Sequence, residues 1–181
     1  MNALWYVSRG TGVFALLLLL LTFVVVLGVL TRQGRPLPGV PRFVVMGMHR
    51  NVSLLALFLL VIHVTTVVSD SYAKVGWADT VVPFLSNFRP LWIGLGTIAM
   101  ELFVAVIATS LVRGLLGRRT WKLVHGLVYL AWPVSLAHGL GSGHDVGQGW
   151  MVAVTVLCIA TAVMAAGYRL STGFGRMEVT S

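Results

Sequence analysis

FVVMGMHRNVSLLALFLLVIHVTTVVS, Phe43 to Ser69, is the stretch that decides the fold. It carries one cation, Arg50, and no carboxylate. About 20 mostly apolar residues suffice for an α-helix to cross the hydrocarbon core of a bilayer, and this run exceeds that. Residues 11–30, 91–112, 120–140 and 149–168 meet the same requirement. The expectation is an all-α integral membrane bundle of five transmembrane helices, forming a single domain over residues 1–181. Composition agrees: 57% of the 181 residues are hydrophobic and 10% are charged, against about 25% charged in a soluble domain. So little charge cannot coat a water-facing surface, and lipid must be part of the solvent. The first apolar run is too long for a signal peptide. Only Arg9 precedes it, and Arg32 and Arg35 follow it in place of a small-residue cleavage site, so it reads as a retained anchor.

The formal net charge is +8. On a soluble protein that would suggest nucleic acid, but here the cations sit in short runs between apolar segments, where they report topology. Arg32, Arg35, Arg42 and Arg50 lie around the first connection, Arg113, Arg118, Arg119 and Lys122 around the third, and Arg169 and Arg176 in the tail. That places ten of the 13 cations on one side; Arg9, Lys74 and Arg89 make three on the other. The positive-inside rule then puts the N-terminus outside and the C-terminus in the cytoplasm. Trp5, Trp92, Trp121 and Trp150 fall at expected helix ends, as an aromatic belt would, with no catalytic role. Cys158 stands alone in an apolar run and reads as a buried thiol. The long connection over residues 70–90 holds Trp77, Val81, Val82, Phe84, Leu85 and Phe88. It is too apolar for a solvated loop, and reads as a short interfacial helix or as a cap over what lies beneath it.

Four of the five histidines fall inside the expected spans, where ionisable side chains are costly and point to function. His49 and His63 are 14 positions apart: at about 100° per residue they share a face to within about 40°, and they are separated by a rise of about 21 Å. His125 and His138 are 13 apart, a rise of about 20 Å. Their two helices run in the same direction, so His49 can face His125 near the inner side and His63 can face His138 near the outer side. An imidazole nitrogen on each side of one plane makes a bis-histidine haem site. A haem is flat and apolar, and its propionates want cations. Arg50, Arg119 and Lys122 lie near the inner pair, and Arg89 could serve the outer one. Gly47, Gly126, Gly139 and Gly141 sit close in sequence to the ligands and would let a macrocycle approach the backbone. Thirteen residues leave the second pair about 140° from coincidence on an ideal helix. Pro133 lies between them, either as a break that re-aims His138 or as a tolerated kink. The simpler reading of a membrane histidine is an interhelical hydrogen bond. The spacing along the helices excludes one compact zinc site.

Glu101, mid-span, reads as a protonated carboxyl bonded to another helix or as part of a proton path. Thr109 and Ser110 are expected to bond back to their own helix. His144 and Asp145, in GSGHDVGQG, could touch an acceptor or a metal, but read more simply as surface, lacking the ligand count for a closed site.

The stretch ATSLVRGLLGRRTWKLVHGLVYLAWPVSLAHGLGSGHD (residues 108–145) resembles the ferric reductase-like transmembrane domain family, the membrane core of NADPH oxidases and ferric reductases. So does MHRNVSLLALFLLVIH (residues 48–63), with thirteen residues between histidines, as against twelve between His125 and His138. SRGTGVFALLLLLLTF (residues 8–23) looks like the first helix of bacterial members. The resemblance covers nearly the whole chain. It implies two stacked b haems, His49 and His125 holding the inner iron and His63 and His138 the outer, and electron flow from inside to outside. Those relatives usually have six helices and a cytoplasmic flavin and NAD(P)H domain. Five helices are expected here, and no Gly-rich dinucleotide motif follows a strand. A related bacterial branch is the membrane haem subunit of the periplasmic methionine sulfoxide reductase system.

The reading is therefore a di-haem b-type electron-transfer subunit, an oxidoreductase subunit that needs a partner. Its donor would be a separate protein, a flavin or a membrane quinol, and its acceptor an extracytoplasmic flavoprotein or reductase. Two other readings stand beside it. One is a one-haem subunit with a flavin or quinone. The other is a non-redox structural or transport protein whose histidines join helices. Membrane lipid is a partner in every case, and nucleic acid in none.

Overall fold

The structure, a computed structural model, describes residues 3–24, 31–32, 35–36, 41–72 and 74–174. Residues 25–30 of the first expected span lie outside these, as do Arg176 and the side chains of Arg32, Arg35, Arg42 and Arg169. Among the described residues six α-helices follow one another: α1 Ala3–Val24, α2 Arg42–Ser69, α3 Pro90–Leu111, α4 Arg118–Gly126, α5 Val128–Ser142 and α6 Gly149–Phe174. Between α1 and α2, the two-residue strands β1 (Thr31–Arg32) and β2 (Arg35–Pro36) pair antiparallel, Thr31 opposite Pro36 and Arg32 opposite Arg35. Five stretches of the described residues are long and apolar enough to cross a membrane: Ala3–Thr22, Phe43–Ser69, Pro90–Leu111, Arg118–Ser142 and Gly149–Gly167. The protein is an all-α, multi-pass integral membrane protein.

Helices dominate because a backbone in lipid must satisfy its own hydrogen bonds. The hydroxyls in these spans follow the same logic. Thr11, Thr22, Thr65, Thr66, Thr109, Ser135 and Ser142 each donate to a carbonyl four residues back, at 2.6–3.0 Å. Each polar group is thereby met inside its own helix.

Two boundaries differ from expectation. α1 begins at Ala3 rather than residue 11, which puts Ser8 and Arg9 on the helix. The fourth span is broken, but not at Pro133, which lies inside α5. The break is at Leu127. Its N–H donates three residues back to Val124 (3.0 Å), and Leu130 N–H donates three back to Leu127 (3.0 Å). Such tight turns advance about 120° per residue instead of about 100°. They supply part of the extra rotation that the 13-residue histidine spacing requires.

The chain forms two compact units. The first comprises Met1–Val13 and Val61–Val146. Its centre is α3 packed along α5, with α4 also against α3. Ala99, Phe103, Val106, Ala131 and Leu136 are buried there, the smaller of them letting backbones approach as small residues do in membrane bundles. The connection over residues 70–89 holds one 3₁₀ turn, Ala78–Thr80, rather than a full interfacial helix. It docks on α3: Thr97 Oγ1 donates to the Asp79 carbonyl (2.7 Å), and the Phe84 ring lies against Gly94. Trp77, Val81, Val82 and Leu85 remain exposed. Arg89 closes this unit. Held at φ 44°, it precedes Pro90 at the start of α3, and its Nη1 donates to the carbonyls of Gly141 (2.6 Å) and Gly143 (3.2 Å). A cation on the last carbonyls of a helix satisfies orphan acceptors and complements the helix dipole.

The second unit comprises Phe14–Leu60 and Gly147–Ser181. Its buried side chains include Leu16, Leu20, Val45, Ala56, Met151 and Cys158. Many large apolar side chains are exposed in it, Phe14, Phe43, Phe58, Val163 and Met164 among them, as lipid-facing helices require.

Candidate functional site

In the first unit, His63 from α2 and His138 from α5 meet. Their ring centres are 6.1 Å apart and their planes lie at 87°. Each ring is anchored on the main chain: His63 Nδ1 to the Ser8 carbonyl at 2.7 Å, His138 Nδ1 to the Trp92 carbonyl at 2.7 Å. A carbonyl only accepts, so Nδ1 carries the proton in both rings and the lone pair is on Nε2. A carbonyl on the far ring nitrogen is what orients a metal-ligating imidazole and raises its basicity.

The same device is built twice. Ser8 lies four residues before Gly12 on α1, and Trp92 four before Gly96 on α3. A Cβ on a helix leans toward the N-terminus, over the preceding turn. Glycine at the fourth position uncovers the carbonyl and admits a ring. A Cβ on Gly96 would stand 2.6 Å from Nδ1 and Cε1 of His138, and one on Gly12 would stand 2.8 Å from Nδ1 of His63. The glycines picked out by sequence are not these. Around Gly47, Gly126 and Gly139 there is open space for a Cβ, and Gly141 accommodates the Trp92 ring. Trp92 is thus more than a belt residue, since it anchors His138 and packs against α5.

Does a haem suit the pair? A metal–imidazole bond is about 2 Å and a ring nitrogen lies about 1.1 Å from the ring centre, so two imidazoles on opposite sides of one metal ion have centres about 6 Å apart. The observed 6.1 Å matches. Among the described residues, no three His, Cys, Asp or Glu side chains cluster to hold a metal ion. Two imidazoles supply two ligands, and a macrocycle supplies the other four. The residues present fit the group.

His125 is half-buried on α4 and also lies in the first unit. Trp121, one turn earlier on the same helix face, stacks on it with centres 5.0 Å apart and planes at 25°. Ser110 Oγ, besides donating to Val106 (2.7 Å), lies 3.4 Å from His125 Nδ1. The indole N–H of Trp121 is buried with no hydrogen-bond partner among the described residues, a donor placed beside a candidate ligand. Lys122 and Arg119 are exposed on α4. His49, half-buried, and Arg50, exposed, belong to the α2 segment of the second unit.

Two further expectations are revised. Asp145 is not surface: it is 3% exposed and ion-paired to Arg9, while His144 is exposed with its ring 6.2 Å from that of Tyr72. Arg89 Nη1 is bonded to carbonyls of α5 and of the loop after it. Glu101 is exposed on α3 and has no hydrogen-bond partner among the described residues, so the interhelical bond is not seen there.

The family profile described as ferric reductase like transmembrane component matches residues 11–136, which hold His49, His63 and His125. The chain belongs to that family. Comparison with curated proteins and with solved structures gives no match. Ferric reductase-like domains generally bind haem and have a transmembrane electron-transfer role, usually working with a separate donor or redox partner. In this member the matched region ends two residues short of His138, whose ring is placed by Trp92 and Gly96 from inside that region.

Proposed function

We propose that this ferric reductase-like chain is a di-haem b-type electron-transfer subunit, His63 and His138 holding the outer haem and His49 and His125 the inner. The observation that carries the reading is the pair of imidazoles 6.1 Å apart, both locked on main-chain carbonyls. When bound, each haem iron would cycle between ferric and ferrous states, taking and giving one electron. The chain's residues bind and orient it. Ser8 and Trp92 fix both ring directions and tautomers, Gly12 and Gly96 make room, and the surrounding apolar helices exclude water. At the inner site Ser110 and Trp121 hold the His125 ring, and Arg50 and Lys122 are the cations assigned to propionates. The donor is a separate protein or a membrane quinol, and the acceptor is an extracytoplasmic flavoprotein, reductase or ferric species.

The test is a spectrum. Purified protein is expected to show a b-type band that sharpens on reduction, with about two haems per chain. A colourless protein would end the reading in favour of histidines that merely join helices. One haem per chain, with extractable flavin or quinone, would reduce it to the outer site alone.

The same reading puts the N-terminus outside and the C-terminus in the cytoplasm, supported by ten cations against three. Asn2→Cys is expected to react with an impermeant maleimide in intact cells, and Arg118→Cys only after permeabilisation; Cys158 is buried and adds little background. The opposite pattern would reverse the direction of electron flow.

A further inference from the structure

We propose that Arg9 and Asp145 form a fixed charge pair beside the His63–His138 site and together set the reduction potential of the haem bound there, an inference that rests on the haem reading above. Arg9 is unusual for its place. Its side chain is 14% exposed and that of Asp145 is 3% exposed. Nε donates to Oδ2 at 3.1 Å, and Nη2 lies 2.8 Å from Oδ1 in an ion contact off the hydrogen-bonding line. One charge-assisted hydrogen bond and one close ion contact tie the two groups together. Nη1 donates to the Gly139 carbonyl at 3.2 Å. Arg9 thus follows Ser8, which anchors His63, and is fastened to Gly139, which follows His138. The guanidinium is tied one residue along from a ligand anchor on one side and from a ligand on the other. Gly143 makes room for the pair, since a Cβ there would strike both the Arg9 guanidinium and the Asp145 carboxylate.

Charges withdrawn from water act strongly on their surroundings. Oxidation of a bound iron adds positive charge. A fixed cation nearby opposes that and raises the potential, whereas a fixed anion lowers it. Paired, Arg9 and Asp145 offset one another. Removing either one leaves the field of the other.

A purely structural staple gives a different pattern. If the pair only fastens α1 to the end of α5, either substitution loosens the same contact and both move the site in the same direction. A charge role moves them in opposite directions.

The experiment is a potentiometric titration of the full chain in lipid nanodiscs, read from the reduced haem band and with haem content measured in parallel. Asp145→Asn is expected to raise the reduced-to-oxidised ratio of the outer haem at fixed ambient potential by about tenfold, about 59 mV for a one-electron couple. Arg9→Gln is expected to lower it comparably, and the double variant to fall between. Shifts of the same sign, or no shift at wild-type haem content, would overturn the proposal while leaving the haem reading intact. Wild-type protein without haem would overturn both. Should one single variant fail to assemble, the sign of the shift in the other decides, read beside Arg9→Lys and Asp145→Glu. These keep both charges and loosen the contact, so their potential is expected to stay at the wild-type value. A shift in either would overturn the proposal.

Discussion

His138→Ala protein is expected to carry one haem against the two proposed for the wild type, and His63→Ala protein to lose the same one. The two rings stand 6.1 Å apart in one compact unit. Deleting either would leave the proposed group held by one imidazole instead of two, with a void where the ring stood. The other imidazole cannot make up the difference, because its Nδ1 is held by a carbonyl and its position is fixed by a helix. His49 and His125 lie 14 and 13 residues away along the chain, a rise of about 20 Å, so the proposed inner haem is expected to stay. His49→Ala and His125→Ala are expected to remove the other component. Haem per chain and the resolved reduced bands are the measurements, with size-exclusion profiles to show that each variant is folded. If His63→Ala and His138→Ala lose different components, or neither loses any, the assignment of this pair is wrong.

Gly96→Ala is the second large effect. The added methyl would stand 2.6 Å from the His138 ring, and no rotamer choice relieves a Cβ. Either the ring leaves the Trp92 carbonyl or α3 and α5 move apart. Overpacking of this kind costs about 1–3 kcal/mol, and the loss of a buried hydrogen bond to the ring adds about 1 kcal/mol. Thermal midpoint and haem retention should both fall. Gly167→Ala is the control. It lies on α6, where a Cβ meets nothing within 4 Å, and alanine is the better helix former. Its expected effect is small or stabilising. Equal behaviour of the two variants would show that the glycine at 96 is not what admits the ring.

Much of this was legible in the sequence, for identifiable reasons. Apolar runs of spanning length give the five transmembrane segments directly, because the bilayer sets one threshold for all of them. The juxtaposition of His63 and His138 follows from matched rise along parallel helices. What the sequence hid was carried by main-chain atoms and by glycines remote from the ligands. Gly12 and Gly96 are far from His63 and His138 in sequence, so nearness in the chain picked out Gly47, Gly126, Gly139 and Gly141 instead. Asp145 reads as a loop carboxylate until Arg9 is seen to sit on a helix, and that depended on where α1 begins. Pro133 drew the eye as the break in the fourth span; the tight turn at Leu127 has no such signature, since its cause is a shift in hydrogen-bond partner rather than a missing donor.

The anchoring of His63 by the Ser8 carbonyl carries a practical implication. An alanine scan along α1 would pass over residue 8, since the serine side chain contributes nothing to the bond, and would return the contact as if it did not exist. What the bond does depend on is that the opening turns of α1 stay wound. A bulky tag fused ahead of Met1, or anything else that frays those turns, would then be felt at the His63 ring, and at the haem proposed to sit on it, long before the protein lost its helices.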